Sequence, residues 1–87
     1  MAIIKKKTWP EFFEAILSGK KKFDLRLADF PVFEGDVIVF EEYNPETRRY
    51  TGRKIEKKIG FLLKTRELEF WTKEEIDKYG LVVMSLE

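Results

Sequence analysis

The chain has 87 residues, room for one domain and a single thin core, since folding at this length buries roughly 60–65% of the chain's surface. Its composition, 44% hydrophobic, 38% charged and 15% aromatic, is that of a soluble globular protein rather than a disordered one. With no His and no Cys, it excludes imidazole bases, Ser-His-Asp and Cys-His nucleophiles, Cys/His zinc sites and a disulfide framework.

Ala2–Lys6, apolar at Ile3 and Ile4, is predicted to form a first strand. Thr8–Gly19 carries the clearest helical pattern. Trp9, Phe12, Phe13, Ile16 and Leu17 recur at i, i+3, i+4, i+7 and i+8 as one apolar stripe, and are expected in the core. Thr8 with Glu11 makes a capping-box signature, Pro10 fits the first turn, and Gly19 supplies the stop. From Lys20 to Ala28 the period becomes two, with Phe23, Leu25 and Leu27 opposite Lys22, Asp24 and Arg26, which predicts a second strand.

Phe30–Asp36 is a turn region with Gly35-Asp36 opening the next strand. Val37–Tyr43, apolar on both faces in its first half, suits a central strand. Asn44–Gly52 is expected to be a hairpin tip. Alternation resumes at Arg53, with Ile55, Ile59, Phe61 and Leu63 on one face and Lys54, Glu56 and Lys58 on the other. A further strand near Leu68–Phe70 is open. Phe70–Gly80 is a second helix with a Thr72/Glu75 capping box, a Trp71–Ile76 staple and Gly80 as its stop, and Leu81–Leu86 is a closing strand. The elements fit a small α+β curled sheet or barrel with two short helices.

Charge is balanced overall but unevenly placed. Residues 1–66 hold fifteen Lys/Arg against ten Asp/Glu, and residues 67–87 hold two against six. A basic body with an acidic tail is compatible with nucleic-acid binding, and equally with a solvated surface in a protein from a hot environment. One Asn, no Gln and abundant Lys and Glu fit that habitat. No apolar run approaches the roughly 18–20 residues needed to span a bilayer, and Met1–Ile4 followed by three lysines does not resemble a signal peptide. A cytoplasmic monomer, without membrane contact, metal or cofactor, is expected.

Gly19-Lys20-Lys21-Lys22-Phe23-Asp24-Leu25-Arg26 is the most pointed motif. Three ammonium groups follow a helix end, and Asp24 lies two residues from Arg26, where it can orient the guanidinium while the lysines hold an anion. A surface ion pair beside a helix C-terminus, where Lys is favoured in any case, accounts for the same residues.

Gly19-x-Lys21-x-x-Asp24-x-Arg26 resembles the G-x-K-x-x-E-x-R signature of ASCH domains, with Asp in place of Glu. The aromatic helix, "SGKK", "FEGD" opening a strand, "YNPETRRYTGR" and the closing "LVVMSLE" follow a small stand-alone branch of that superfamily in order. The resemblance covers nearly the whole chain as a single domain, 1–87. It implies a PUA-like mixed β-barrel of about five or six strands with two short helices, and an RNA-associated cleft between the first helix and the barrel. By position Lys21, Asp24 and Arg26 would line that cleft, with Gly19 at the tight turn. Some superfamily members are amidohydrolases of acylated cytidine, but they have Thr where this chain has Asp24.

The hairpin is the second candidate. Arg48, Arg49, Arg53, Lys54, Lys57 and Lys58 are interleaved with Tyr50 and preceded by Tyr43, so phosphates could be neutralised while bases stack. Strand parity separates Lys54 and Lys58 from Arg53 and Lys57. The leading expectation is an RNA- or nucleotide-binding module using Lys20, Lys21, Lys22, Asp24, Arg26, Arg48, Arg49, Tyr50, Arg53 and Lys54. The alternatives are a small hydrolase, of amidohydrolase or nuclease type with Lys21 and Asp24 as its candidates, and a non-catalytic protein-interaction domain.

Overall fold

The computed structural model describes residues 1–82, 84 and 85. Strand β1 (Ile3–Thr8) leads directly into helix α1 (Pro10–Leu17), and a long connection reaches strand β2 (Val37–Asn44). Strand β3 (Arg49–Lys58) follows, and helix α2 (Lys73–Tyr79) comes after a short 3-10 turn at Thr65–Glu67. β1 pairs with β2 in parallel, from Ile3 opposite Val37 to Thr8 opposite Glu42, and β3 pairs antiparallel on the other side of β2. A parallel pair needs a long crossover, and α1 with the 18–36 connection provides it.

Helix α1 lays Phe13 and Ile16 on Ile38 and Phe40 of β2, with Ile55 and Ile59 partly buried around them. Phe13 is 1% exposed, so cutting it to Ala would cost about 3–5 kcal/mol. Ile38, Val39 and Phe40 are consecutive and all buried, as expected of a central strand covered on both faces.

The start of β2 is pinned by Asp36, which is buried. Its carboxylate accepts the Ala2 and Phe33 N–H groups, each at 2.9 Å. These backbone donors, Ala2 first, hold its carboxyl below the usual carboxylate range against the opposing effect of burial. Gly35, at φ +91°, makes the Phe33–Asp36 turn possible.

The sheet has three strands among the described residues, rather than the five or six of the expected barrel. Residues 20–28 do not join it. Their side chains, not a main-chain ladder, hold this segment to β1: Arg26 takes the Lys7 carbonyl with a guanidinium N–H. Leu25 and Leu27 stay 67% and 80% exposed, so the alternation there marks no buried face. β3 ends at Lys58, with Phe61 and Leu63 exposed, and Leu68–Phe70 forms no strand. Of the expected closing strand, Leu81, Val82, Met84 and Ser85 are not in strand, and Val83 and Leu86 lie outside the described residues.

Helix α1 starts later than its capping box implies. Thr8 ends β1 instead, its hydroxyl engaged by Arg26, and Trp9 takes the N-cap without a side-chain bond. At α2 the Thr72/Glu75 box forms in full, and Trp71 and Ile76 line one surface groove. Helix α2 buries none of its residues.

Candidate nucleic-acid interface

Gly19, at φ +79°, lets the chain turn back on α1, and the Lys21 N–H then donates to the Ala15 carbonyl at 2.8 Å. This places Lys21 beside Asp24. The Lys21 ammonium donates to the Phe23 carbonyl at 2.8 Å and to Asp24 Oδ1 at 3.3 Å. Arg26 Nε donates to Asp24 Oδ2 at 2.6 Å, and its Nη2 to the Lys7 carbonyl at 3.1 Å and Thr8 Oγ1 at 3.2 Å. The signature residues therefore assemble as one cluster, two cations on a shared carboxylate, with net charge of one positive unit. Both Asp24 oxygens hold cations, so Asp24 acts as an orienting group. Lys20 and Lys22 are exposed and have no ion pair among the described residues.

Arg53 is engaged by carboxylates of the fold itself. It points to the α1 side of the sheet, where Nε and Nη2 each donate to Glu42 at 2.9 Å and Nη2 also reaches Glu14 of α1. Thr51 Oγ1 donates to the same Glu42 carboxylate at 2.6 Å. The Arg53 guanidinium lies 4.8 Å from the centre of the Phe13 ring. A register shift between Glu41 and Tyr43, opposite Gly52 at φ +92°, turns Thr51 and Arg53 toward Glu42 together.

Arg53 first, and Thr51 after it, lower the Glu42 carboxyl from 4.5 to about 2 although burial opposes this. Glu42 and then Glu14 push Arg53 further above its already high range. Arg53 is thus a tie between β3, β2 and α1, with its Nε and Nη2 donors taken by carboxylates. Glu42 follows Ile38 and Phe40 at a period of two, a signal that would have placed this acid on the buried face.

The remaining hairpin residues divide as parity requires. Lys54 lies on the face away from α1, 3.6 Å from Glu41. Tyr43 and Tyr50 oppose each other across β2 and β3, edge to face at 5.1 Å, and Tyr50 is 55% exposed. Sequence reasoning passed over Lys7, whose ammonium stands 4.2 Å from the Tyr43 ring centre. At the tip, Asn44 Oδ1 accepts the Glu46 N–H at 2.9 Å, and Arg48 adopts φ +57°. Arg48 and Arg49 are exposed, with no ion pair among the described residues.

Among the described residues no cluster of three His, Cys, Asp or Glu could hold a metal ion, and no helix is long and apolar enough to cross a membrane. Residues 3–85 match the family described as a domain of unknown function (DUF3850), and the chain belongs to that family. The match does not link the chain to ASCH domains in particular. No curated protein matches it.

Proposed function

We propose that the protein binds single-stranded RNA or a nucleotide, with a cationic cleft beside α1 holding phosphate and the adjoining hairpin continuing the contact. One continuity of contacts carries this reading. Arg26, oriented by Asp24, bonds the Lys7 carbonyl; the Lys7 side chain rests on Tyr43; and Tyr43 meets the exposed Tyr50. Arg26 stands on the α1 side of β1 and the Lys7 side chain with the two tyrosines on the other side, so cations and an aromatic pair flank this strand, the kinds of group that neutralise a backbone and stack unpaired bases. Lys20 and Lys22 extend it at one end and Arg48 and Arg49 at the other. The resemblance of the Gly19–Arg26 signature to ASCH domains supports the same reading, in which the chain is a relative of the PUA-like proteins.

The test is an NMR titration of the whole chain with short mixed-sequence single-stranded RNA. Shifts are expected at residues 19–26 and 43–50. Neutralising the exposed Lys20 and Lys22 as Lys20→Gln/Lys22→Gln should reduce the log–log salt slope by about 1.4, at roughly 0.7 per phosphate contact. Absence of shifts at millimolar RNA would remove the nucleic-acid reading.

A further inference from the structure

We infer that the groove between α1 and the turn following it receives the base of a nucleotide, with a preference for rings that carry an amino group. This rests on the nucleic-acid reading and names the part of the ligand that the groove selects. The apolar stripe of α1 is wider than the sheet beneath it. Phe13 and Ile16 are buried, while Phe12, expected in the core, is 48% exposed. Phe23, across the turn, is 37% exposed.

The two rings line one open groove of about 390 Å³, together with Ala15, Glu11, Lys20 and Lys21. That volume lies in the range of small-ligand sites, roughly 300–1,000 Å³. A single exposed Phe needs no explanation, but two on one groove make an apolar slot that suits a flat ring.

Several contacts hold this slot in shape. The Lys21 N–H to Ala15 carbonyl bond sets the distance between turn and helix. The Lys21 ammonium bonds the Phe23 carbonyl and lies 4.8 Å from the Phe23 ring centre, so it steadies that wall. Ala15 contributes only a methyl group, which leaves the space open.

Charge selects the occupant. Lys20 lines the groove, is exposed and has no ion pair among the described residues, so it is available to a phosphate attached to the ring. Glu11 also lines the groove without an ion pair among those residues, and an ionised carboxylate only accepts hydrogen bonds. It favours an exocyclic amine and opposes a carbonyl at the same ring position.

AMP and purine riboside 5′-monophosphate, which carries hydrogen in place of the 6-amino group, differ in that one group and serve as probes, with a hexamer of adenylate followed in parallel on the whole chain. AMP should shift the resonances of Phe12, Ala15 and Phe23 and bind about tenfold more tightly than purine riboside 5′-monophosphate, as one charge-assisted hydrogen bond implies. Glu11→Gln should erase that difference. Ala15→Leu fills the slot while every charge is kept, and should weaken AMP at least about tenfold, the scale of overpacking a filled site. Phe12→Ala, at an exposed position, should weaken AMP as well.

AMP shifts absent from the groove, or AMP affinity unchanged in both Ala15→Leu and Phe12→Ala, would overturn the proposal. Salt-dependent hexamer binding would still uphold the nucleic-acid reading in that case. AMP seated in the groove with no hexamer binding at any salt would overturn the RNA track and leave the base site standing.

Discussion

Glu42→Gln tests the tie that holds α1, β2 and β3 together. The substitution keeps the size of the side chain and removes its charge, beneath Arg53 and Thr51. Lowering the carboxyl from 4.5 to about 2 corresponds to about 3 kcal/mol at neutral pH, at roughly 1.36 kcal/mol per unit. Arg53 is 45% exposed, and solvent screening at that end brings the expected loss to about 2–3 kcal/mol.

The sign follows from the folded carboxyl being the stronger acid. Its stabilisation is complete above about pH 5 and is lost as pH falls toward 2. The gap between wild type and Glu42→Gln should therefore shrink to about 1 kcal/mol near pH 3 and nearly vanish at pH 2. Asp36 titrates in the same direction in both proteins and cancels in the difference. Urea unfolding at neutral and acid pH reads this gap directly, and thermal unfolding at pH 7 should show a midpoint lower by about 10–20 °C. A gap under about 0.5 kcal/mol at pH 7, or one that does not change with pH, would refute the reasoning.

Two further substitutions separate local from global structure. Thr72→Ala removes the observed cap of α2 and should cost that helix about 1 kcal/mol. Because α2 buries nothing, amide exchange should accelerate over Lys73–Tyr79 while the unfolding midpoint of the sheet stays within a degree or two, about the effect of a few tenths of a kcal/mol. Gly52→Ala places a side chain at φ +92° in open space, so its cost is backbone strain alone, about 1–2 kcal/mol. Faster amide exchange in the β2–β3 ladder on either side of the register shift, with the midpoint lowered, is the expected result; unchanged exchange there would show that the register shift does not depend on glycine.

Where a signal was local, it could be followed along the chain. Helix α1, the apolar run of β2, the Thr72 box of α2 and the turn chemistry of Gly35-Asp36 are all settled within a few residues, and each formed. So did the Lys21–Asp24–Arg26 cluster, because i+2 and i+3 spacings bring short-range partners together whatever surrounds them. Of the α1 stripe, however, only Phe13 and Ile16 reach the core, while Trp9, Phe12 and Leu17 stay about half exposed because the small sheet does not extend beneath them. The Thr8 box failed for a tertiary reason: Arg26 and the β1 ladder claimed that residue first. The alternation of 20–28 failed for another, since a period of two names a strand only when a partner strand supplies the ladder.

Arg53 shows the limit most clearly. Its sequence neighbours are basic, and its charge pointed outward to an anion. Its partners, Glu42 and Glu14, stand eleven and thirty-nine residues away, and a shift in strand register brings them within reach. The sequence by itself determined which segments are apolar, where helices stop and which short-range ions meet. Only the tertiary structure decided which cations are already neutralised and which aromatic rings the small sheet leaves uncovered, because both depend on groups distant in the chain competing for the same space.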